Sequence, residues 1–340
     1  RRGEARSACR VARARASTTY ERTVSAFDRV RITPLQYNTN VNCLFLYNPT
    51  SGKGKIAKKI DYIRRRLEEM FGHVEIAATV SAEDLESRAR DGAERYDVIL
   101  FSGGDGTFNH VLQGIGTREV RLGYIPGGTT NDVARSLGIP RSIRGALDVI
   151  EKGYSERVDC MRVNGRYAMY VAAAGAFTRA TYATPQTKKK KLGILAYAFE
   201  CLKNEMNFKV FPLSIDCDGR REETPAVLVL ILNGRSVASF PINRGGSMRD
   251  GQLEIAVIRQ AERPGFFRRI GAYFSLASLF LFGVKVKKRD ILFLRGEHIS
   301  IKTDETVVWD LDGEEGMHGS IAVETLPQRM RLFVPKNKKI

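Results

Sequence analysis

The strongest constraint on the fold is a short apolar run that ends in a cluster of glycines. Val98–Phe101 is continuously apolar, and the sequence SGGDGTFN follows at Ser102–Asn109. A run of this length bounded by glycine is typical of a buried strand in a parallel sheet, and Val111, Leu112 and Ile115 then recur at helical spacing. The segment predicts a strand, a glycine turn and a helix whose N-terminus can bind phosphate. A turn that needs glycine only for its geometry is the alternative, because such short motifs also occur without function.

The same order of strand, turn and helix recurs on both sides of this segment. Cys43–Tyr47 predicts a strand followed by a polar turn at Asn48–Lys55, and Leu122–Pro126 predicts a strand followed by Gly127–Asp132. With a further strand at Val74–Val80, strands alternating with helices predict a doubly wound α/β domain. The three polar turns all follow strands, so we expect them at the carboxyl edge of one sheet, where such folds bind ligands.

Composition limits the partners and the compartment. The chain has 340 residues, enough for two domains, and its 43% hydrophobic and 27% charged residues are ordinary, but its net charge is +17. This surplus favours an anionic partner, and without an RNA-binding signature a membrane surface or phosphate-bearing ligand is preferred over nucleic acid. Five scattered cysteines without a CxxC pair favour a reducing compartment over a disulfide framework. No apolar run approaches the ~20 residues that cross a bilayer, so we expect a soluble or peripheral protein.

The second half of the chain has a different pattern, in which short strands alternate with turns and Asn164-Gly165 is a hairpin signal. The predicted strands are Val158–Val163, Tyr167–Ala173, Leu213–Cys217, Ala226–Leu232, Leu253–Ile258, His298–Lys302, Val307–Leu311 and Leu332–Val334. They predict a mainly antiparallel sandwich with two helical insertions, one at Lys191–Leu202 and one starting at Pro264. The second insertion is aromatic with basic flanks, which suits either a membrane-contacting helix or a helix buried against the sandwich.

Two acidic turns in this half are candidates for chemistry. Asp310–Gly316 places carboxylates together after a strand, where they raise one another's pKa and one can act as a general base. A surface hairpin made acidic for solubility is the alternative. Arg249–Glu254 contains Asp250, which can cap the turn or help to bind a hard cation. Residue types alone favour the surface hairpin for the first turn and the capping role of Asp250 for the second.

Taken together, these motifs resemble the diacylglycerol kinase catalytic-domain family, and within it the soluble bacterial YegS-like lipid kinases. The resemblance is carried, in chain order, by Asn48–Gly52, Gly103–Asn109, Pro126–Asp132, Asp250–Leu253 and Asp312–Glu314. It implies an α/β plus β fold: a phosphofructokinase-like doubly wound nucleotide domain at 41–157 and a β-sandwich lipid-binding domain at 158–325. A return strand with a basic tail at 326–340 and a basic, disordered extension at 1–40 complete the predicted organisation.

The resemblance also implies an activity and its residues. The activity is transfer of the γ-phosphoryl group of ATP, with Mg²⁺, to a lipid hydroxyl, diacylglycerol giving phosphatidic acid. Glu314 would accept the proton of the lipid hydroxyl, Asp312 would lie beside it at the metal-phosphate centre, and Asp105 would serve the Mg²⁺. The residues implied to contact ATP are Asn48, Pro49, Thr50, Ser51, Gly52, Thr79, Gly104, Asp105, Gly106, Thr107, Phe108, Asn109, His110 and Thr129. Asn131 and Asp132 would border the substrate cleft, and Ser247, Asp250 and Gln252 would hold a structural Mg²⁺ found in some relatives.

The implied partner is a lipid at an anionic membrane surface, with the protein cytoplasmic and peripheral at the inner face of the membrane. A homodimer is compatible with the resemblance, and no nucleic acid partner is expected. His110 stands where many relatives have glutamate, and Arg235–Phe240 replaces an expected glycine-rich segment. Diacylglycerol, phosphatidylglycerol, a sphingoid base and a monoacylglycerol all present a suitable hydroxyl, so pocket shape would select among them. An NAD kinase, which has a similar GGDGT turn, and a catalytically silent membrane-binding protein with a kinase fold are the alternative functions.

Overall fold

The computed structural model describes residues 38–176, 209–260, 265–284 and 290–336. The first part of the chain forms a parallel sheet in the order β2-β1-β3-β4. Its strands are β1 (Asn38–Tyr47), β2 (Phe71–Ala78), β3 (Val98–Gly103) and β4 (Arg121–Pro126). The helices are α1 (Ile60–Met70), α2 (Ala82–Arg95), α3 (Asp105–Ile115), α4 (Asp132–Leu137) and α5 (Ile143–Glu151). The predicted doubly wound α/β arrangement is confirmed.

Burial explains why these segments adopt this order. Every residue of β3 is buried, as its continuous apolar sequence predicts for a central parallel strand. Phe101 of β3, Phe108 of α3 and Tyr124 of β4 form an aromatic cluster with ring centroids 5.2–5.3 Å apart. Ser81 is the N-cap of α2, and its hydroxyl accepts a hydrogen bond from the backbone N–H of Asp84 at 3.1 Å. The aromatic cluster therefore holds β3, α3 and β4 together, and the Ser81 cap sets the start of α2.

The second part of the chain is mainly antiparallel, as predicted. Its elements are β5 (Ser155–Val163), β6 (Arg166–Ala168), β7 (Val171–Gly175), β8 (Phe211–Cys217), β9 (Arg220–Leu232), β10 (Leu253–Arg259), α6 (Phe266–Phe282), β11 (Ile291–Gly296), β12 (His298–Lys302), β13 (Val308–Leu311), β14 (Glu314–His318) and β15 (Ile321–Phe333). Asn164 and Gly165 join β5 to β6 with φ of 44° and 87°, so the predicted hairpin turn is present. The core of this part includes the fully buried Trp309.

Strand β15 connects the two parts of the fold. Its first residues pair with β12, most of its length pairs antiparallel with β5, and Arg331 and Leu332 pair parallel with β4. The sequence predicted only a short strand here, because a bulge between Leu326 and Met330 interrupts the alternation of apolar residues. The two parts thereby share one sheet path, β14-β13-β7-β9-β8-β12-β15-β4-β3-β1-β2.

Two other elements were not predicted, and one prediction cannot be compared. Strand β14 has the polar sequence EEGMH on the sheet edge, and β11 was not singled out either. The predicted helical insertion at 191–202 lies outside the described residues. The predicted helix after Pro264 is present as α6. Within the described ranges, no helix is both long enough and apolar enough to span a bilayer.

Candidate functional site

Two glycine turns lie side by side at the carboxyl edge of the parallel sheet. Gly103 at the end of β3 is level with Pro126 at the end of β4, and the N–H groups of Gly127 and Gly128 donate to the Gly103 carbonyl at 2.7 and 3.2 Å. A Cβ on Gly128 would lie only 2.5 Å from the Cα of Gly104. Glycine is therefore required for this close approach of two backbones, which leaves the turns open for a ligand.

Asn131 holds the second turn in shape. Its backbone is left-handed, with φ of 51°, and its side chain is buried. The Oδ1 accepts from the N–H of Gly128 at 2.9 Å and from the Tyr124 hydroxyl at 3.2 Å, while the Nδ2 donates to the Gly128 carbonyl at 2.9 Å. Asn131, predicted to border the substrate, thus forms the turn itself and also lines the cleft beside it.

A cleft of about 280 Å³ opens next to these turns. Its lining residues are Ser51, Lys55, Ile56, Ser102, Pro126, Gly127, Gly128, Asn131, Arg141 and Ile143. Arg141 donates from Nη2 to the carbonyl of Thr129 at 2.7 Å, so a cation is fixed against the turn. Lys55 and Arg141 give the cleft the charge that a polyphosphate requires. Sequence reasoning missed Arg141, and its only signal was its position directly after the Gly138–Pro140 break.

Of the other residues implied to contact ATP, those in the turns after β1 and β2 lie around the same edge, whereas three residues of α3 have other contacts. Asn48 orders the turn after β1, because its Oδ1 accepts from the N–H and the hydroxyl of Thr50 at 2.9 and 2.7 Å. Thr79 follows β2 and donates from its backbone to the Tyr47 carbonyl at 2.8 Å.

Phe108 is fully buried in the aromatic cluster, and the buried Asn109 side chain donates to the Tyr167 carbonyl at 3.1 Å and to Asp312 at 2.9 Å. His110 instead contacts Glu86 of α2, with Nδ1 2.8 Å from Oε1. The structure therefore places His110 between two helices, and its implied contact with ATP has no support in this geometry.

Asp105 joins the first turns of α3 and α4. Its side chain is largely buried, and its carboxylate accepts from the Thr130 hydroxyl at 2.9 Å and from the N–H of Val133 at 3.1 Å. A carboxylate at two helix N-termini is favoured by both helix dipoles. Asp105 is thus held rigidly beside the cleft, and its oxygen atoms are of the type that Mg²⁺ prefers.

Asp132 extends this acidic centre toward the second part of the fold. The Oδ1 accepts from the Ser236 hydroxyl at 2.6 Å and from the N–H of Ser239 at 2.9 Å. Burial, followed by the negative charge of Asp105, raises the pKa of Asp132 to about 6. The segment that replaces the expected glycine-rich sequence is therefore fixed to the nucleotide domain by this carboxylate, and also by the Ser136 hydroxyl, which accepts from the N–H of Arg235 at 3.0 Å.

Asp312 is fully occupied by protein donors. The Oδ2 accepts from the Asn109 side chain at 2.9 Å and from the N–H of Met169 at 2.6 Å, and the Oδ1 accepts from the N–H groups of Tyr170 and Val171 at 2.9 and 3.1 Å. Asp312 is only 2% exposed, so these atoms do not line the cleft. The implied position at the metal-phosphate centre does not agree with this geometry. Asp312 instead connects α3 to the β13–β14 turn.

Glu314 reaches the first turn of α3 from the opposite side of the fold. A Cβ on Gly106 would lie 2.3 Å from the Oε1 of Glu314, so the carboxylate lies directly over the GGDG turn. The turn before it has a left-handed backbone at Asp312 and Gly313, with φ of 56° and 92°. The predicted proton acceptor is therefore brought to the GGDG turn, although Gly106 and Glu314 lie 208 positions apart in the sequence.

An arginine neutralises the negative charge of the turn that the resemblance implies to hold a structural Mg²⁺. Arg295 forms an ion pair with Asp250 and lies 3.4 Å from Glu254, and the Oδ1 of Asp250 accepts from the N–H of Gln252 at 3.2 Å. The Gln252 amide donates to Glu297 at 2.7 Å, and the Ser247 hydroxyl accepts from the N–H of Arg249 at 3.2 Å. The described residues contain no cluster of three or more His, Cys, Asp or Glu suited to a metal. As arranged, the side chains of this turn do not fit a metal ion.

The fold and the geometry of this site define a class of enzyme even without comparison to relatives. Glycine turns and fixed cations at a sheet edge, with a carboxylate above them from a second domain, are the parts of a phosphoryl-transfer enzyme. The diacylglycerol kinase catalytic domain model matches residues 42–163, and the YegS C-terminal NAD kinase beta sandwich-like domain model matches residues 170–334.

Two diacylglycerol kinases are similar to this chain over most of its length. A diacylglycerol kinase of Bacillus subtilis (strain 168) is 31% identical over 300 residues, covering 86% of this chain and 96% of the relative. A diacylglycerol kinase of Staphylococcus aureus (strain MRSA252) is 31% identical over 296 residues, covering 86% and 92%. The chain belongs to the diacylglycerol kinase catalytic-domain family, and its second part matches the C-terminal domain of the YegS-like members. It is therefore a kinase, and membership of a kinase family implies ATP as the phosphate donor.

Solved structures support the same fold. A structure from Bacillus anthracis str. Sterne superposes with a TM-score of 0.74 at 27% identity, covering 87% of this chain and 95% of that chain. A diacylglycerol kinase structure from the same organism has a TM-score of 0.70 at 24% identity, covering 87% and 97%. The α/β domain followed by a β-sandwich is thus the architecture of this family.

Proposed function

We propose that this protein transfers the γ-phosphoryl group of ATP to the hydroxyl of a membrane lipid, with diacylglycerol as acceptor and phosphatidic acid as product. The observation that carries the proposal is the position of Glu314 over Gly106, because it brings a carboxylate from the second domain to the phosphate-binding turn. The names of the relatives at 31% identity support diacylglycerol as the acceptor.

In this proposal the cleft beside the two glycine turns binds ATP. Lys55 and Arg141 face its phosphates, and the N-terminus of α3 adds backbone N–H groups and the positive end of a helix dipole. These features support the proposal, because positioning and charge neutralisation supply most of the catalysis in phosphoryl transfer.

The donor chemistry beside the turns fits Mg²⁺. Asp105 would hold the ion, because Mg²⁺ in kinases needs one or two carboxylates together with phosphate oxygens and water. The ion would neutralise negative charge on the transferring phosphoryl group. Asp105 has lone pairs left for this role after its hydrogen bonds to Thr130 and Val133.

Glu314 acts on the attacking group. The lipid hydroxyl loses its proton to the Glu314 carboxylate while its oxygen forms the new bond to phosphorus and the bond between phosphorus and the leaving ADP oxygen breaks. Asp312 holds the turn from which Glu314 projects, through its four N–H donors. The base is thus supported from a rigid element rather than a free loop.

The test is transfer of label from γ-labelled ATP and Mg²⁺ to a panel of lipids in mixed micelles, with NAD as a control acceptor. Glu314→Gln should lower lipid phosphorylation by roughly 10²–10⁴-fold, as expected for loss of a general base. Glu315→Gln is the matched control, since Glu315 is the neighbouring exposed carboxylate on the same strand and should leave activity unchanged. Label on NAD alone would support the NAD kinase alternative. Binding to anionic vesicles without any transfer would support the catalytically silent one.

A further inference from the structure

Three arginines stand side by side on adjacent strands where the two parts of the fold join. Arg331 of β15 is paired in register with Arg121 of β4 on one side and with Arg157 of β5 on the other. Residues paired directly across strands lie on the same face of a sheet, and neighbouring strands are about 4.8 Å apart. These three residues, which we call the arginine row, therefore place three positive charges on one face.

The arginine row is distant from the cleft beside the glycine turns. Arg121 is the first residue of β4, whereas Pro126, which lines the cleft, is the last. At about 3.3 Å per residue, the strand separates these two residues by roughly 16 Å. A ligand at the arginine row would therefore occupy a site separate from the cleft.

Glu119 is the carboxylate that partly balances the arginine row. Its two carboxylate oxygens accept from the Nη1 and Nη2 of Arg157 at 3.0 and 2.8 Å. The Nε of Arg331 donates to the Ser155 hydroxyl at 3.2 Å. Neither Arg121 nor Arg331 takes part in an ion pair among the described residues. The arginine row thus keeps positive charge that Glu119 does not neutralise.

The imbalance acts on Arg331 at the centre of the arginine row. Burial, followed by the positive charges of Arg121 and Arg157, lowers the pKa of Arg331, against the opposite effect of Glu119. The hydrogen bonds from Arg157, and then the charges of Arg157, Arg329 and Arg331, lower the pKa of Glu119, so a fourth arginine acts on this group. Like charges directly opposite each other destabilise a sheet. A bound anion would relieve this repulsion.

A phosphate monoester matches the arginine row in charge and in shape. It carries about 1.5–2 negative charges at pH 7 and three strong acceptor oxygens. Guanidinium groups bind phosphate oxygens through two parallel hydrogen bonds, a geometry that lysine does not offer. A carboxylate has a single charge and two acceptor oxygens, so it would neutralise less of the surplus.

We propose that the arginine row binds a phosphate monoester group, carried by a soluble ester or by the headgroup of a phospholipid. Arg331 and Arg121 donate to the phosphate oxygens, and Arg157, held by Glu119, adds its charge. Both sources of the group share this recognition chemistry. The proposal does not depend on the lipid kinase function, because the site lies apart from the cleft.

The test compares variants of the full chain with two probes. Isothermal titration calorimetry measures binding of glycerol 3-phosphate in chloride buffer, and co-sedimentation measures binding to vesicles of phosphatidic acid and phosphatidylcholine. Arg121→Gln combined with Arg331→Gln should lower the affinity at least roughly 10-fold, because two charge-assisted donors are lost. Its Tm in chloride should not fall, because like charges are removed.

The matched control is Arg118→Gln. Arg118 lies three positions before Arg121 and pairs with Glu94 at 2.7 Å, outside the arginine row. The control removes one positive charge from the same region and should keep wild-type affinity. Arg141→Gln, in the cleft, should keep it as well, which separates this site from the one proposed for ATP.

The two probes distinguish the sources of the phosphate group. Weaker binding of glycerol 3-phosphate by the double variant supports the proposal with a soluble ester as the source. Weaker vesicle binding by the double variant, when the wild type does not bind the soluble ester, supports it with a phospholipid headgroup as the source. Binding of neither probe by the wild type overturns the proposal, and so does wild-type affinity of the double variant for both.

Two further results keep the proposal open to refutation. An equal loss in Arg118→Gln overturns it, since net charge rather than the arginine row would then account for binding. If the Tm of the double variant falls, Arg331→Lys decides, because lysine keeps the charge but lacks the fork of donors. Weaker binding by Arg331→Lys at the wild-type Tm supports the proposal, and wild-type affinity overturns it.

Discussion

Gly106 leaves the space that Glu314 occupies, so the two residues form one unit of the site. In Gly106→Ala the new methyl group would meet Oε1 of Glu314 at 2.3 Å. The end of a flexible side chain can move aside, so the fold should tolerate the change while the carboxylate is displaced from the GGDG turn. We expect kcat to fall roughly 100-fold, since a displacement of about 1 Å can cost that much.

The control for this substitution is Gly271→Ala. Gly271 lies inside α6 with nothing within 4 Å of the added methyl group. It should keep full activity and raise the free energy of unfolding by up to about 1 kcal/mol. Kinetics and urea unfolding of both variants check the prediction, and unchanged kcat for Gly106→Ala would contradict the placement of Glu314.

Asp132 should make stability depend on pH in a direction opposite to that of most carboxylates. Its pKa is raised to about 6 by burial and by Asp105, against smaller lowering effects of Ser236, Ser239 and Arg135. An acid with a raised pKa in the folded state contributes fully to stability below its unfolded pKa, near 4, and loses this contribution as the pH rises through about 6. The loss corresponds to about 3 kcal/mol for a shift of about two pKa units.

Asp132→Asn removes this titration and tests it directly. Relative to the wild type, the free energy of unfolding of the variant should rise between about pH 4 and about pH 7. Urea unfolding without nucleotide or metal measures it, so that ligand binding does not contribute. A difference between variant and wild type that stays constant with pH would show that Asp132 ionises at an ordinary pKa.

At the scale of elements, the β13–β14 turn depends on the Asp312 carboxylate. Asp312→Ala leaves four N–H donors in a buried site without an acceptor, which should cost about 3–5 kcal/mol. Asp218→Ala is the control, because this exposed carboxylate also accepts two backbone N–H groups, from Glu297 and His298, each at 2.9 Å. Thermal unfolding should show a much smaller loss for the control. Equal losses would contradict the role of burial at Asp312.

The turn at Asp250 should be independent of metal in this chain. Because Arg295 neutralises Asp250 and Glu254, the Tm should be the same in Mg²⁺ and in EDTA. Arg295→Met should lower the Tm and allow Mg²⁺ to restore part of it, since two carboxylates then face each other without a cation. Arg221→Met, which removes an exposed pair with Asp216, is the control and should be insensitive to Mg²⁺. A wild-type Tm that falls in EDTA would restore the predicted structural Mg²⁺ site.

The elements that the sequence predicted are those with strong local patterns. The buried β3 and the glycine turn after it are visible in consecutive residues, and so is the helical spacing of α3. Strand β14 has no apolar alternation because it is a polar edge strand, and its position depends on pairing with β13. The contact of Arg141 with Thr129 and the four N–H donors to Asp312 arise only from tertiary contacts. Local pattern therefore predicts the turns, while the partners of each side chain require the fold.

At the scale of the whole molecule, we propose that α6 brings the site to its lipid. Ala272, Leu276 and Leu279 are buried on one side of the helix, whereas Phe274 and Phe282 are 66% and 64% exposed. Exposed aromatic residues on a helix of a protein with net charge +17 are the combination that binds an anionic membrane surface. The sequence left the choice between a buried and a membrane-contacting helix open, and this division of faces supports both roles at once.

Replacing both exposed phenylalanines by serine should weaken binding to anionic vesicles. Loss of two inserted aromatic side chains, each worth about 1.5–3 kcal/mol when fully buried, should lower the affinity at least roughly 10-fold. Phe293→Ser is the control, because Phe293 is 42% exposed on β11 and outside α6. Co-sedimentation with vesicles of phosphatidylglycerol and phosphatidylcholine measures the binding, and kcat with a water-soluble short-chain diacylglycerol should stay unchanged. Equal binding by the double variant and the wild type would show that α6 does not contact the membrane, and binding that disappears only at high salt would assign the attachment to the basic charge alone.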